Sequence, residues 1–163
     1  FSAFANDGVM CEPRAVTKVV DAQGKSYDVG NDSCKQVIKK EVAQGVNYVL
    51  EQVLVRGSGY QRSIGLPGAS AAKTGTTDNS TQTWMVGYTK GLSTASWVGN
   101  YQYGSRSLNG LNIGGRSGGS GTEWVDGATY AGGQWQNYMK EIAPRYSTST
   151  FSSPPSSVLS TSK

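Results

Sequence analysis

Between residues 39 and 55 the apolar positions Val42, Val46, Val49, Leu50 and Val53 recur at spacings of three and four, with Lys, Glu and Gln between them. That period predicts an amphipathic helix burying this face, weakened slightly by Gly45 and ended by Arg56-Gly57-Ser58-Gly59. A loop then runs to Leu66-Pro67-Gly68. Trp135, Tyr138, Met139 and Ile142 repeat the helical spacing, and Pro144 stops it. The compact apolar run at 1–5, ahead of Asn6-Asp7-Gly8, reads as the end of a helix closed by a glycine cap. Elsewhere the pattern is that of strands. β-Branched runs at 15–20 and 25–29 bracket Asp21-Ala22-Gln23-Gly24, a hairpin signal. Segments 83–89 and 93–101, rich in Trp, Val, Tyr and Thr, flank Lys90-Gly91-Leu92 and join 70–77 in a three-stranded antiparallel meander. Trp84, Tyr88 and Trp97 are expected to pack that sheet against its helices.

Composition sharpens this into an α+β chain with a small core. Only 36% of residues are apolar, and 22 of 163 are glycine, concentrated with Ser, Thr and Asn in the second half. Residues 104–121 are expected to form a long loop, with Arg106 and Arg116 solvated. The domain is expected to span 1–146. Residues 147–163 hold eight Ser, three Thr and two Pro, which predicts a disordered tail.

Charge and rare residues narrow the chemistry. The net charge of +4 is spread without a basic run, so nucleic acid is not an expected partner, although an acidic wall or membrane surface would attract the chain mildly. Histidine is absent, which removes Ser-His-Asp and Cys-His catalysis and leaves acid-base work to Lys, Tyr or carboxylates. Cys11 and Cys34 are too few for a structural zinc site. If 11–34 is one hairpin turning at Ala22-Gln23 they fall opposite each other, and either a disulfide or two reduced packing cysteines would fit. No stretch approaches the ~20 apolar residues of a membrane span. The opening Phe1-Ser2-Ala3-Phe4 lacks an initiator Met and a basic-then-apolar signal, and is read as the start of a fragment.

The chemistry-bearing motif is Lys73-Thr74-Gly75-Thr76-Thr77. On a strand Lys73, Gly75 and Thr77 share one face and Thr74 and Thr76 the other. Glycine leaves room for an extended peptide to lie along the strand and pair with its backbone. A bare K-T-G is more often an ordinary edge strand with a surface lysine, and its surroundings decide the matter. The chain carries, in order, Phe4-Ala5-Asn6-Asp7-Gly8-Val9, Glu12-Pro13-Arg14, Ala72-Lys73-Thr74-Gly75-Thr76-Thr77-Asp78, Trp84-Met85-Val86-Gly87-Tyr88-Thr89 and Ala95-Ser96-Trp97-Val98-Gly99. From residue 1 to about 146 this resembles the transpeptidase domain of class A, bifunctional penicillin-binding proteins.

The resemblance implies the antiparallel sheet and flanking helices of the penicillin-recognising serine enzymes, incomplete in this chain. It implies a D,D-transpeptidase that cross-links peptidoglycan stem peptides by serine acyl transfer through the motifs S-x-x-K, S-x-N and K-T-G. Lys73 would lend positive charge to the site. The Thr74 and Thr76 hydroxyls would bind the carboxylate of a D-Ala-D-Ala peptide or a β-lactam, with Gly75 and Thr77 beside them, and the Thr76 N–H would supply half of the oxyanion hole. No cofactor or metal is called for. The expected partners are stem peptide, β-lactams and the N-terminal half of the same protein, with a membrane anchor upstream and a place on the extracytoplasmic face of the bacterial membrane.

Three short matches are rejected. Ser70-Ala71-Ala72-Lys73 fits S-x-x-K but runs into the K-T-G strand instead of opening a helix. Ser160-Thr161-Ser162-Lys163 lies in the tail, and Ser107-Leu108-Asn109 fits S-x-N but follows K-T-G. The nucleophile is therefore expected outside this chain. A phosphate loop fails because Pro67 and Ala72 stand where it needs glycine. Competing readings are a serine β-lactamase or D,D-carboxypeptidase, and a non-catalytic β-lactam or wall-binding module. Gly57-Ser58-Gly59 matches a family loop near the cleft or is a plain connector.

Overall fold

A computed structural model describes residues 1–30, 33–102, 104–111, 113 and 124–160. Arg116, half of the 104–121 loop and the Lys163 end of the tail lie outside them. The chain opens with a single helical turn, α1 (Ser2–Ala5). It then reverses at Asp7 and Gly8, both with positive φ. Glycine is required at 8, because φ is +89° and a Cβ would lie 2.1 Å from the Ile38 carbonyl oxygen.

Four short strands follow: β1 (Val9–Cys11), β2 (Val19–Val20), β3 (Ser26–Tyr27) and β4 (Cys34–Gln36). They form nested antiparallel ladders, β1 with β4 and β2 with β3. Asp21 closes the inner turn by accepting the Gln23 and Lys25 amides and the Tyr27 phenol. Gly24, at φ +82°, adds one residue to that turn, so Val20 pairs with Ser26 and the inner ladder is offset from the outer one. Cys11 and Cys34 are register partners joined in a disulfide, which settles the alternative left open by the sequence.

The long helix α2 (Lys40–Val55) spans the expected residues but turns a different side inward. Ala43, Gln44, Asn47 and Leu54 are buried, whereas Val42 and Val49 are 46% and 62% exposed. Asn47 explains the rotation. Its amide donates to the Phe4 carbonyl at 2.9 Å and its oxygen accepts the Tyr88 phenol at 2.7 Å, tying α2 to α1 and to the central sheet. A polar residue with its hydrogen bonds satisfied can occupy a core position that a count of apolar residues assigns to valine.

The central sheet is the expected meander, β5 (Ala71–Thr76), β6 (Gln82–Tyr88) and β7 (Ser93–Gly99), antiparallel in that order. Helix α3 (Tyr130–Ile142) packs on one face, where Trp135 and Met139 bury fully against Ala72, Met85 and Leu54. A Trp buried this way contributes on the order of 3 kcal/mol. Tyr138, predicted on the buried side, is exposed. The other face is covered at one end, where Ala71 and Tyr88 meet Ala5 and Phe151.

Trp84 and Trp97 depart from their expected packing role. They are register partners on this second face, 40% and 38% exposed, and tilt against each other with ring centroids 6.3 Å apart. Only Tyr88, at the covered end, is buried as expected.

Residues 147–160 also differ from the loose tail their composition suggests. Phe151 is buried against Tyr88, its amide bonds the Gly68 carbonyl at 2.7 Å, and α4 (Ser156–Leu159) rests on α2. Phe151, together with Val158 of α4 set close against Gly45 of α2, supplies the apolar surface that the Ser/Thr/Pro count lacks.

Candidate functional site

β5 has a partner on one side only, so its outer edge is free among the described residues. The Thr77 amide bonds the Gln82 carbonyl at 3.0 Å in continuation of the β5–β6 register. Antiparallel pairs alternate, so the odd residues bond β6 while Thr74 and Thr76 turn their N–H and C=O groups to the free edge. Lys73 Nζ accordingly reaches the Thr74 carbonyl oxygen at 2.6 Å.

The same alternation places the Thr74 and Thr76 side chains on the α3 face of the sheet, two residues apart. Each hydroxyl has a partner from a different loop. The Thr74 hydroxyl lies 2.6 Å from the Ser58 hydroxyl, and the Thr76 hydroxyl accepts the Gly127 amide at 3.0 Å. Gly75 sits between them with its ideal Cβ position 3.4 Å from the Trp84 Cβ, so the strand is slim on its second face. Thr77 behaves differently. Its hydroxyl meets Thr81 at 2.8 Å and takes the Gln82 amide at 2.8 Å, and so belongs to the β5–β6 turn.

The two loops are braced against each other. Arg62 Nε donates to the Ala128 carbonyl oxygen, and Gln136 of α3 donates to the carbonyls of Gln61 and Ser63. Asp126 accepts the Ala128 and Thr129 amides and so fixes the entrance to α3. Ser58 is held between glycines whose amides bond back to α2, Gly57 to Gln52 and Gly59 to Val53. A small cleft of about 190 Å³ opens beside it, lined by Ser58, Tyr60, Arg62 and Asp126 among others.

The rejected serines are occupied elsewhere. Ser70 is buried and donates to the Leu66 carbonyl at 2.9 Å. Ser107 accepts the Asn109 amide while Asn109 accepts the Val125 amide, making a turn of the S-x-N match. Ser160 closes α4. Behind the site, burial pushes the Tyr88 phenol far above its ordinary range, helped by the negative charge of Glu51, and burial raises Glu51 itself. Tyr88 thus stays a neutral donor to Asn47.

Sequence reasoning named the strand and missed Gly127. The signal available was Asp126-Gly127-Ala128-Thr129 ahead of a helical period, a helix-entry pattern that does not reveal which strand the glycine touches. Arg106 is exposed, as expected. No helix among the described residues is long and apolar enough to cross a membrane.

Residues 1–105 match the family model described as penicillin binding protein transpeptidase domain. Penicillin-binding protein 1A of Aquifex aeolicus is 28% identical over 159 residues, covering 98% of this chain and 20% of the relative. Penicillin-binding protein 1A of Mycobacterium tuberculosis is 39% identical over 109 residues, covering 61% of this chain and 13% of the relative. This chain therefore spans a fifth or less of the length of these two relatives. Among solved structures, the penicillin-binding protein PonA1 from Mycobacterium tuberculosis superposes with a TM-score of 0.74 at 34% identity, over 94% of this chain and 39% of that one. Penicillin-binding protein 1A from Haemophilus influenzae gives a TM-score of 0.71 at 21% identity over 94% of this chain and 26% of that one, a likeness of fold. With the family match covering most of the chain and the sheet and helices superposing over nearly all of it, this chain belongs to the penicillin-binding protein transpeptidase domain family.

Proposed function

We propose that β5 is the substrate-holding wall of a peptidoglycan D,D-transpeptidase. One observation carries the reading: Thr74 and Thr76 present two loop-braced hydroxyls from one face, and their backbone N–H groups point to the free edge that begins at Lys73. An extended D-Ala-D-Ala peptide pairs along that edge, and its terminal carboxylate takes hydrogen bonds from the two hydroxyls beside the Lys73 charge. A serine from outside these residues attacks the penultimate D-Ala carbonyl, whose carbon–nitrogen bond breaks to release D-alanine with a proton on its amine. The amine of a neighbouring stem peptide then attacks the ester carbonyl, forming the cross-linking amide as the bond to the serine oxygen breaks and the amine's proton returns to the serine. The Thr76 N–H stabilises the oxyanion at each addition, a contribution typically of ~3 kcal/mol. A β-lactam acylates the same serine as its ring amide opens.

The occupied state of Ser70 supports a nucleophile beyond this chain, on the part of the protein bearing S-x-x-K and S-x-N. Action on wall peptide places the site on the outer face of the bacterial membrane, with the anchor in that same remaining part.

Labelling the full-length protein with a fluorescent penicillin tests this. A long-lived acyl-enzyme is expected, while the isolated 163 residues stay unlabelled. Rapid release of the label points instead to a β-lactamase or carboxypeptidase, and absence of any label to a non-catalytic module.

A further inference from the structure

We propose that Ser58 is a positioning residue that directs the Thr74 proton onto the substrate carboxylate; this rests on the reading of β5 given above. The Ser58 and Thr74 hydroxyls are 2.6 Å apart, so one donates to the other and a single proton of the pair is left to point outward. A carboxylate accepts and never donates, which draws the Thr74 proton to it. The Thr74 oxygen is then free to receive the Ser58 proton, and a chain of hydrogen bonds running toward an anion polarises and strengthens each link.

The pair is built to hold this direction. Ser58 sits on a turn whose main chain is pinned at both neighbours, with Gly57 bonded to Gln52 and Gly59 to Val53, and its hydroxyl already meets that of Thr74 without substrate. Thr74 is half-buried and anchored in the β5–β6 ladder opposite Met85. Thr76 has the equivalent arrangement, since the donor arriving from Gly127 fills its oxygen and leaves its own proton outward. The two adjacent hydroxyls are thereby polarised alike by two different loops. Ser58 supplies this from a side chain, where one substitution can remove it.

The test is a double-mutant cycle in the full-length protein, following acylation by benzylpenicillin. Thr74→Ala reports on the reading of β5 itself, and no effect of that single change overturns the reading before Ser58 is considered. If Thr74 matters, Ser58→Ala is expected to lower the second-order acylation rate about tenfold through weaker binding, with the limiting acylation rate little changed. Ser58→Thr restores it. In the Thr74→Ala background Ser58→Ala adds nothing, and with a penicillin methyl ester, which lacks the carboxylate charge, the Ser58→Ala loss shrinks towards none. Wild-type acylation by Ser58→Ala, or an equal loss with and without Thr74, overturns the proposal.

Discussion

The Gly127 amide donates to the Thr76 hydroxyl across 3.0 Å, which lays the entrance of α3 directly over the K-T-G strand. A Cβ at Gly127 would stand 2.5 Å from the Trp84 carbonyl oxygen and 2.7 Å from both the nitrogen and the oxygen of Gly75. These are backbone atoms of paired strands and have no room to move. Gly127→Ala is therefore expected to lift the loop from β5, costing about 2 kcal/mol of stability and slowing penicillin acylation about tenfold. Thermal melts and acylation kinetics of the full-length protein check this, and wild-type values in both would show that the loop does not bear on the strand.

Phe151 carries the second prediction. Its ring lies 5.6 Å from that of Tyr88, and it is the one aromatic residue in a segment that, apart from Val158 and Leu159, is otherwise Ser, Thr and Pro. Phe151→Ala should cost about 3 kcal/mol and release residues 147–160 to rapid amide exchange. Exchange protection unchanged by the substitution would mean that the segment is held by something else.

Glu51 gives a pH dependence of definite sign. Burial raises its carboxyl above the ordinary 4.5, so the folded chain binds this proton more tightly than the unfolded one. The wild type accordingly loses this part of its stability as pH rises from 4.5 through the raised value, and ionised Glu51 is a liability at neutral pH. Glu51→Gln should melt above wild type at pH 7 and show no such advantage below pH 4.5. An advantage that is the same at both pH values would contradict the assignment.

Much of the architecture was legible because it rests on local signals. The period around 39–55, the turn at Asp21–Gly24 and the β-branched runs each gave the right element, and the motif order gave the family. What failed depends on neighbours distant in sequence. Val42 and Val49 have the right spacing for a core face, yet Asn47 takes it because Phe4 and Tyr88 satisfy its amide. Trp84 and Trp97 look like core residues, and strand register puts them on the face that α3 does not cover. At the site, alternation on a strand correctly put Thr74 and Thr76 on one face. It could not show that Ser58 and Gly127 would meet them, or that the Thr77 hydroxyl would turn into the β5–β6 turn.

The central claim is that the strand beginning at Lys73 is the anion-holding wall of an acyl-transfer site. Its most direct test is the second-order rate constant for benzylpenicillin acylation of the full-length protein carrying Lys73→Ala. Lys73 is exposed and its ammonium touches only the Thr74 carbonyl among the contacts described, so the melting temperature should hold. A fall of about 100-fold in acylation with an unchanged melt is the predicted result; acylation at the wild-type rate would contradict the account.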